Sequence, residues 1–220
     1  MTKRKGTKDY DLRAALVRVL LNAGVPRSDI RHEVTLDSAS SDGRADMVVV
    51  RPNTLIGLEI KSCVDKLDRL ETQTGRYSSR FDFIGLVYSN RHSAAVEKMR
   101  WKGWLTIEAK IGEDMSIDFA GGFYGPQWIW LEDELRGYHR RNVSPACMLE
   151  MLDRSCVLDV ARKLGYAGST RSGAIPMLAE HHSIRQIRAE VAWMLQHRGL
   201  NRWEEAFWAR FDAEPQAVAA

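Results

Sequence analysis

Residues 44–61 read RADMVVVRPNTLIGLEIK and hold two apolar runs, with Asp46 on the first run and Glu59 and Lys61 on the second. Side chains of a strand alternate between its two faces, so Glu59 and Lys61 are predicted to share one face while the apolar residues between them take the other. Burying charges is costly unless they are paired or coordinate a metal. We therefore expect this segment to have a chemical role.

Length and composition restrict the class of protein. The chain has 220 residues, of which 45% are hydrophobic and 28% are charged, which suits one globular domain with an appendage or two modest domains. It has no run of about 18 apolar residues and no secretory signal, so we expect a soluble, cytoplasmic protein that makes no membrane contact. Three cysteines at spacings unlike Cys-x-x-Cys give no support for a disulfide framework, a zinc site or an iron–sulfur cluster.

The charge distribution permits nucleic-acid binding. Net charge is +3 with a pI near 8.8, and residues 127–220 hold 12 basic and 12 acidic residues. Lys3, Arg4 and Lys5 crowd the N-terminus, so we expect them to contact a phosphate-bearing substrate. The alternative is a solvated, frayed tail.

Hydrophobic periodicity and turn residues predict an α/β core followed by helices. The predicted core elements are a helix at 9–23, strands at 32–36, 45–50 and 55–61, a helix at 65–80, a strand at 81–88, a helix at 92–101 and a strand at 104–109. Beyond a glycine-rich junction at 121–126, helices are predicted at 130–141, 145–153, 155–165, 173–181, 184–198 and 201–211. We divide the chain into a core of residues 1–120 and a helical domain of residues 127–220, which could bind DNA or form a homodimer.

This order of elements resembles the PD-(D/E)xK nuclease superfamily over residues 9–109. Asp46 starts one predicted strand, Glu59-x-Lys61 ends the next, and Gln73-x-x-x-Tyr77 lies in the helix that follows. The Gln-x-x-x-Tyr pattern is similar to that of the RecB-like branch, and the helical tail resembles an MmcB-like group linked to DNA repair. The resemblance implies a restriction-endonuclease-like αβββαβ core with a mixed sheet flanked by helices, plus an all-α C-terminal region.

The resemblance also implies a metal-dependent deoxyribonuclease acting in DNA repair, recombination or phage DNA processing. Mg²⁺ or Mn²⁺ can activate a water and neutralise the scissile phosphate, and Mg²⁺ usually takes one or two protein carboxylates. Asp46 and Glu59 suit that role, with the main-chain carbonyl of Ile60 as a third ligand by family analogy. Lys61 would orient or deprotonate the attacking water. The alternative is a plain ion pair of Lys61 with either acid.

Further residues would complete the site. The superfamily commonly adds an upstream acid, for which we expect Glu33, with Asp11 as the competitor; either could instead be a helix cap or an end-of-element charge. Gln73 would bond a metal-bound water or the phosphate, and Tyr77 would position the substrate, the alternative for both being helix packing.

Two other functions compete with the nuclease. One is a catalytically silent nuclease-fold protein that binds DNA or a protein partner. The other is an unrelated α/β interaction domain with an accidental motif, which predicts that Glu33, Asp46 and Glu59 are dispersed in space. Separately, Trp203, Phe207 and Phe211 recur at helical spacing, which predicts a core-facing stripe and, as a second interpretation, a base-stacking platform.

Overall fold

Six strands form one mixed sheet whose order in space follows the chain, β1-β2-β3-β4-β5-β6. The computed structural model describes residues 8–37, 43–51, 53–99, 105–111, 117–120 and 143–214, with the backbone alone for β5 and β6. The strands are β1 (Ile30–Thr35), β2 (Arg44–Arg51), β3 (Thr54–Lys61), β4 (Phe83–Ser89), β5 (Leu105–Ile111) and β6 (Ile117–Ala120). β3, β4 and β5 run parallel, and the other neighbouring pairs are antiparallel.

Helices cover both faces of the sheet. They are α1 (Asp9–Asn22), α2 (Leu70–Ser78), α3 (Ser93–Met99), α4 (Pro145–Glu150), α5 (Arg154–Lys163), α6 (Arg171–His181), α7 (Ile184–His197) and α8 (Arg202–Ala213). The helix and strand order of the first half is therefore the predicted one, and the α/β class is confirmed. None of the described helices is long and apolar enough to cross a membrane.

Two element predictions differ most from the structure. The helix predicted at 65–80 begins only at Leu70, because the Asp65 carboxylate accepts hydrogen bonds from the main chain and hydroxyl of Ser62 at 2.7 and 2.6 Å and holds a turn after β3. Strand β6 was not predicted, since four residues are too few for a periodic signal. The glycine-rich junction at 121–126 and the helix predicted at 130–141 lie outside the described residues.

β3 lies at the centre of the packing and is buried along its whole length. Ile56, Leu58 and Ile60 face a cluster built with α1 and α8. The opposite face packs against α2 and the helices α4 to α7. Gly57 is required on that face, because an added Cβ would lie 2.3 Å from the Phe81 ring.

The helices of the second half contribute to these same two buried clusters. α7 packs on β2 and β3, while α8 packs on β1. Phe207, Trp208 and Phe211 of α8 are buried, but Trp203 is 47% exposed, so the predicted stripe is wrong at its first member. Helical spacing defines a common face, but it does not show where the helix passes beyond the sheet.

Candidate active site at the ends of β2 and β3

The buried carboxylate of Glu59 is the centre of the site. Its Oε1 accepts hydrogen bonds from Lys61 Nζ at 2.5 Å and Gln73 Nε2 at 2.6 Å, and its Oε2 accepts one from the Tyr77 hydroxyl at 2.7 Å. Gln73 and Tyr77 are four residues apart and so lie on one face of α2. Lys61 lies two residues after Glu59 on the same face of β3, as the alternation predicted.

Asp46 on β2 lies next to Glu59 across the strand pair. The last paired residues are Met47 and Leu58, and beyond them the Asp46 carboxylate accepts the N–H of Ile60 at 2.7 Å. The Tyr77 hydroxyl contacts both residues, since it also accepts the N–H of Asp46 at 3.3 Å. Burial, and next the neighbouring Glu59 carboxylate, raise the pKa of Asp46 to about 8, against the lowering effect of the Arg13 guanidinium.

A third acid, Glu33, reaches the site through a kink in β1. The ladder between β1 and β2 skips Glu33 and Asp46 while the residues on either side keep one register. Glu33 has a φ of 50°, a left-handed conformation that is costly for a residue with a Cβ. Val34 and Ala45 consequently pack on the α2 side of the sheet, although Met47 packs on the α1 side.

Arg13 of α1 holds the acids together. Its Nη2 lies 2.7 Å from Glu33 and 3.1 Å from Asp46, and its Nε lies 2.7 Å from Asp9. The guanidinium also donates to the main-chain carbonyl of Asp46. These three carboxylates raise the pKa of Arg13 further above its usual range, against the effect of burial.

Sequence reasoning missed Arg13, although a signal existed. Arg13 falls at i, i+4, i+7 spacing with the buried Val17 and Leu20. A charged residue on the apolar face of a helix needs a buried partner. Asp11, the competitor for the third acid, accepts the N–H of Lys8 at 3.1 Å and caps α1. Asp11 is therefore a helix cap, which was the alternative to its role as the third acid.

We call these residues together the strand-end cluster; it consists of Arg13, Glu33, Asp46, Glu59, Lys61, Gln73 and Tyr77. The three acids are gathered in one network instead of being dispersed. Ile60 enters it through its N–H, and a ligand role for its carbonyl stays a prediction. Lys3, Arg4 and Lys5 lie outside the described residues.

The donors of the strand-end cluster suit a hard divalent cation. With Asp9 it holds four carboxylates against two cationic side chains. The buried Oε1 of Gln73 has no hydrogen-bond partner in the described part of the chain. No group of three or more His, Cys, Asp or Glu residues in that part is arranged to hold a metal, and Arg13 already binds Glu33 and Asp46. Two carboxylates are the usual protein share for Mg²⁺, which keeps several waters.

Helix α8 fixes the strand residues directly before Glu33. The Glu204 carboxylate binds Arg31 through both oxygens, at 2.7 and 2.9 Å, and accepts the N–H of His32 at 3.1 Å. The Asn201 side chain donates to the carbonyl of His32 at 3.1 Å. We call Arg31, Asn201 and Glu204 the α8 clamp. No sequence pattern indicated it, since its partners are about 170 residues apart in the chain.

Comparison with known proteins shows that the first half of the chain is similar to a phage protein. A family model described as bacteriophage P4 protein cII matches residues 2–105. No curated protein and no solved structure gives a significant match to the chain. The matched segment runs through α1 and the first four strands into the start of β5. The chain is therefore similar to a phage protein over the part that carries every member of the strand-end cluster.

Proposed function

We propose that this protein is a metal-dependent nuclease that hydrolyses DNA phosphodiester bonds with Mg²⁺ or Mn²⁺, built on a PD-(D/E)xK-type core. The observation that carries the proposal is the meeting of Asp46 and Glu59 at the Tyr77 hydroxyl, with Lys61 on Glu59. The similarity to a phage protein supports a role in processing phage or mobile-element DNA, with repair or recombination as related settings.

The side chains divide the work of hydrolysis. A bound divalent cation would supply charge neutralisation at the phosphate and a more acidic water, and Asp46 and Glu59 are the residues that would hold it. Lys61, kept in place by Glu59, orients the attacking water and offsets charge on the phosphate. Gln73 bonds Glu59 through its amide N–H, and its carbonyl oxygen, which has no partner among the described residues, accepts a hydrogen bond from water.

One observation favours the second candidate, a catalytically silent nuclease-fold protein that binds DNA or a protein. Each of the two central acids already has a cationic side chain as its partner, Arg13 for Asp46 and Lys61 for Glu59. In that case the strand-end cluster is a set of structural ion pairs. The two candidates differ in whether Asp46 is needed for a reaction or only for folding.

Cleavage assays separate them. Full-length protein is incubated with labelled single-stranded, duplex and branched DNA in Mg²⁺ or Mn²⁺, with and without EDTA. We expect cleavage of at least one substrate, loss of cleavage with EDTA, and loss with Asp46→Ala. Asp11→Ala is the matched control, because it removes a carboxylate of α1 that caps that helix, and it should retain cleavage.

Two outcomes contradict the nuclease. The first is that every DNA substrate stays intact in both Mg²⁺ and Mn²⁺. The other is cleavage by Asp46→Ala at the wild-type rate, which would point to a contaminating enzyme. Circular dichroism of each variant checks that the fold is retained.

A further inference from the structure

Trp203, at the start of α8, is a large aromatic ring that the fold leaves 47% exposed. The Cζ atom of Arg202 lies 4.9 Å from the centroid of the Trp203 ring, and the Cζ atom of Arg44 lies 6.0 Å from the centroid of a Trp203 ring. Both distances are within the range of cation–π attraction. Two arginines from different parts of the chain, one on β2 and one on α8, therefore meet at one exposed indole.

Among the residues that the structure describes, these two arginines have no acidic partner. In the part of the chain that the structure describes, neither guanidinium forms an ion pair or a side-chain hydrogen bond. Other arginines near the sheet are paired, as Arg13 is with Asp46 and Arg31 is with Glu204. An uncompensated guanidinium is well suited to bind a phosphate oxygen, because its planar donors match that group.

The position of the ring relates it to the strand-end cluster. Arg44 precedes Asp46 by two residues on β2, a strand distance of about 7 Å. Asn201, two residues before Trp203, holds the carbonyl of His32, the residue next to Glu33. Glu33 and Asp46 are also the partly exposed acids of the cluster, with side chains 24% and 21% exposed. A ligand on the ring would thus lie beside the open side of the cluster.

We propose that Trp203, Arg44 and Arg202 form a binding platform for an unpaired base of single-stranded DNA and its adjoining phosphates. Every base offers a flat face that stacks on an aromatic side chain, and in a duplex those faces are covered by neighbouring bases. The base replaces one guanidinium over the indole, and the displaced arginine pairs with phosphate. This inference rests on the proposed function for its substrate class and deepens it by naming the strand form.

Binding measurements test the platform without any cleavage. Fluorescence anisotropy in EDTA compares a labelled thymidine oligonucleotide with a duplex of the same length. We expect Trp203→Ala to weaken single-strand binding roughly tenfold, and Trp203→Phe to retain most of the affinity because a ring remains. Trp193→Ala is the matched control, since Trp193 is also 47% exposed but lies on α7, and it should bind like the wild type.

Salt dependence tests the arginines. Arg44→Gln and Arg202→Gln should each lower the slope of log affinity against log salt by about 0.7, as expected when one phosphate contact to a single strand is lost. An unchanged slope in both variants would contradict the phosphate contacts. Thermal unfolding of each variant should match the wild type, because the substituted side chains are exposed.

Three results would overturn the platform: equal affinity of Trp203→Ala and Trp193→Ala, equal or tighter binding of the duplex, and a clear preference for RNA of the same sequence. The same experiments distinguish failure of the platform from failure of the proposed nuclease activity. Trp203-dependent binding without cleavage in either metal refutes the nuclease and leaves the platform standing. Cleavage that is independent of Trp203, with unchanged binding, refutes the platform alone.

Discussion

The α8 clamp and the strand-end cluster are two sets of buried charges that meet on β1, and they differ in how completely they are paired. Glu204 and Arg31 are 0% and 2% exposed in their side chains and join through two hydrogen bonds. The strand-end cluster has more acids than bases, a strained Glu33, and a Gln73 carbonyl that has no partner within the described ranges of the chain. The Arg31–Glu204 pair balances one cation with one anion, whereas surplus charge and strain favour a site that still has a ligand to bind.

Loss of Lys61 should have the largest effect, and it should be on rate. Under the nuclease proposal, Lys61→Ala removes the group that would orient water, so we expect cleavage to fall by about 10²–10⁴-fold. Glu59 retains its hydrogen bonds from Gln73 and Tyr77 but loses the Lys61 cation, so the free energy of unfolding should also fall, by up to about 3–5 kcal/mol. Single-turnover cleavage and urea unfolding measure the two effects. A large loss of stability with little loss of rate would make the cluster structural.

Glu204→Ala should instead lower the stability of the fold more than it lowers the rate of cleavage. It leaves the Arg31 guanidinium buried without its carboxylate and should lower the free energy of unfolding by about 3–5 kcal/mol. Glu205→Ala, the exposed neighbour on the same helix turn, is the control and should stay within about 0.5 kcal/mol. Urea unfolding checks both. Equal stability of the two variants would show that the clamp does not stabilise the fold.

His32, between the clamp and the cluster, makes stability depend on pH. Burial, followed by the charges of Arg13 and Arg31, lowers the pKa of His32 to about 3. The unfolded state, with a pKa near 6.5, binds more protons between these values, so this stabilising contribution is complete above about pH 6.5 and is lost as pH falls. We expect a loss of about 2–3 kcal/mol between pH 6.5 and 4.5.

Replacement of His32 by an apolar residue should remove that loss. Urea unfolding at pH 6.5 and 4.5 compares wild type with His32→Leu, and the difference between their pH responses isolates this group. His197→Leu is the control, because His197 is exposed on α7. The same acid sensitivity in His32→Leu and wild type would assign the effect to other groups.

Glu33→Gly should have the smallest effect on stability. Glycine relieves the left-handed backbone, worth about 1–2 kcal/mol, but it removes one partner of Arg13, so we expect a net change within about 1 kcal/mol. Thr35→Gly, in the regular end of β1, is the control and should destabilise by about 0.5–1 kcal/mol. If Glu33 belongs to the site, its variant loses cleavage while Thr35→Gly retains it.

The strands and the Glu59–Lys61 face were predictable because strand alternation is local. Asp46, Glu59 and Lys61 needed only the period of two and the apolar runs around them. Gln73 and Tyr77 were expected from the resemblance of Gln-x-x-x-Tyr to the RecB-like branch, and their four-residue spacing predicts a shared helix face. The length of α2 was overestimated, because a side-chain bond from Ser62 to Asp65 holds a turn that helical periodicity does not reveal.

The sequence by itself determined the order of the described elements apart from β6, and the candidate site residues on β2, β3 and α2. Tertiary structure alone decided that Arg13 joins Glu33 and Asp46, that Glu33 adopts a φ of 50°, and that Trp203 is exposed beside Arg44. The physical reason is range: periodicity and turn chemistry act over a few residues, whereas these contacts form only when distant segments pack.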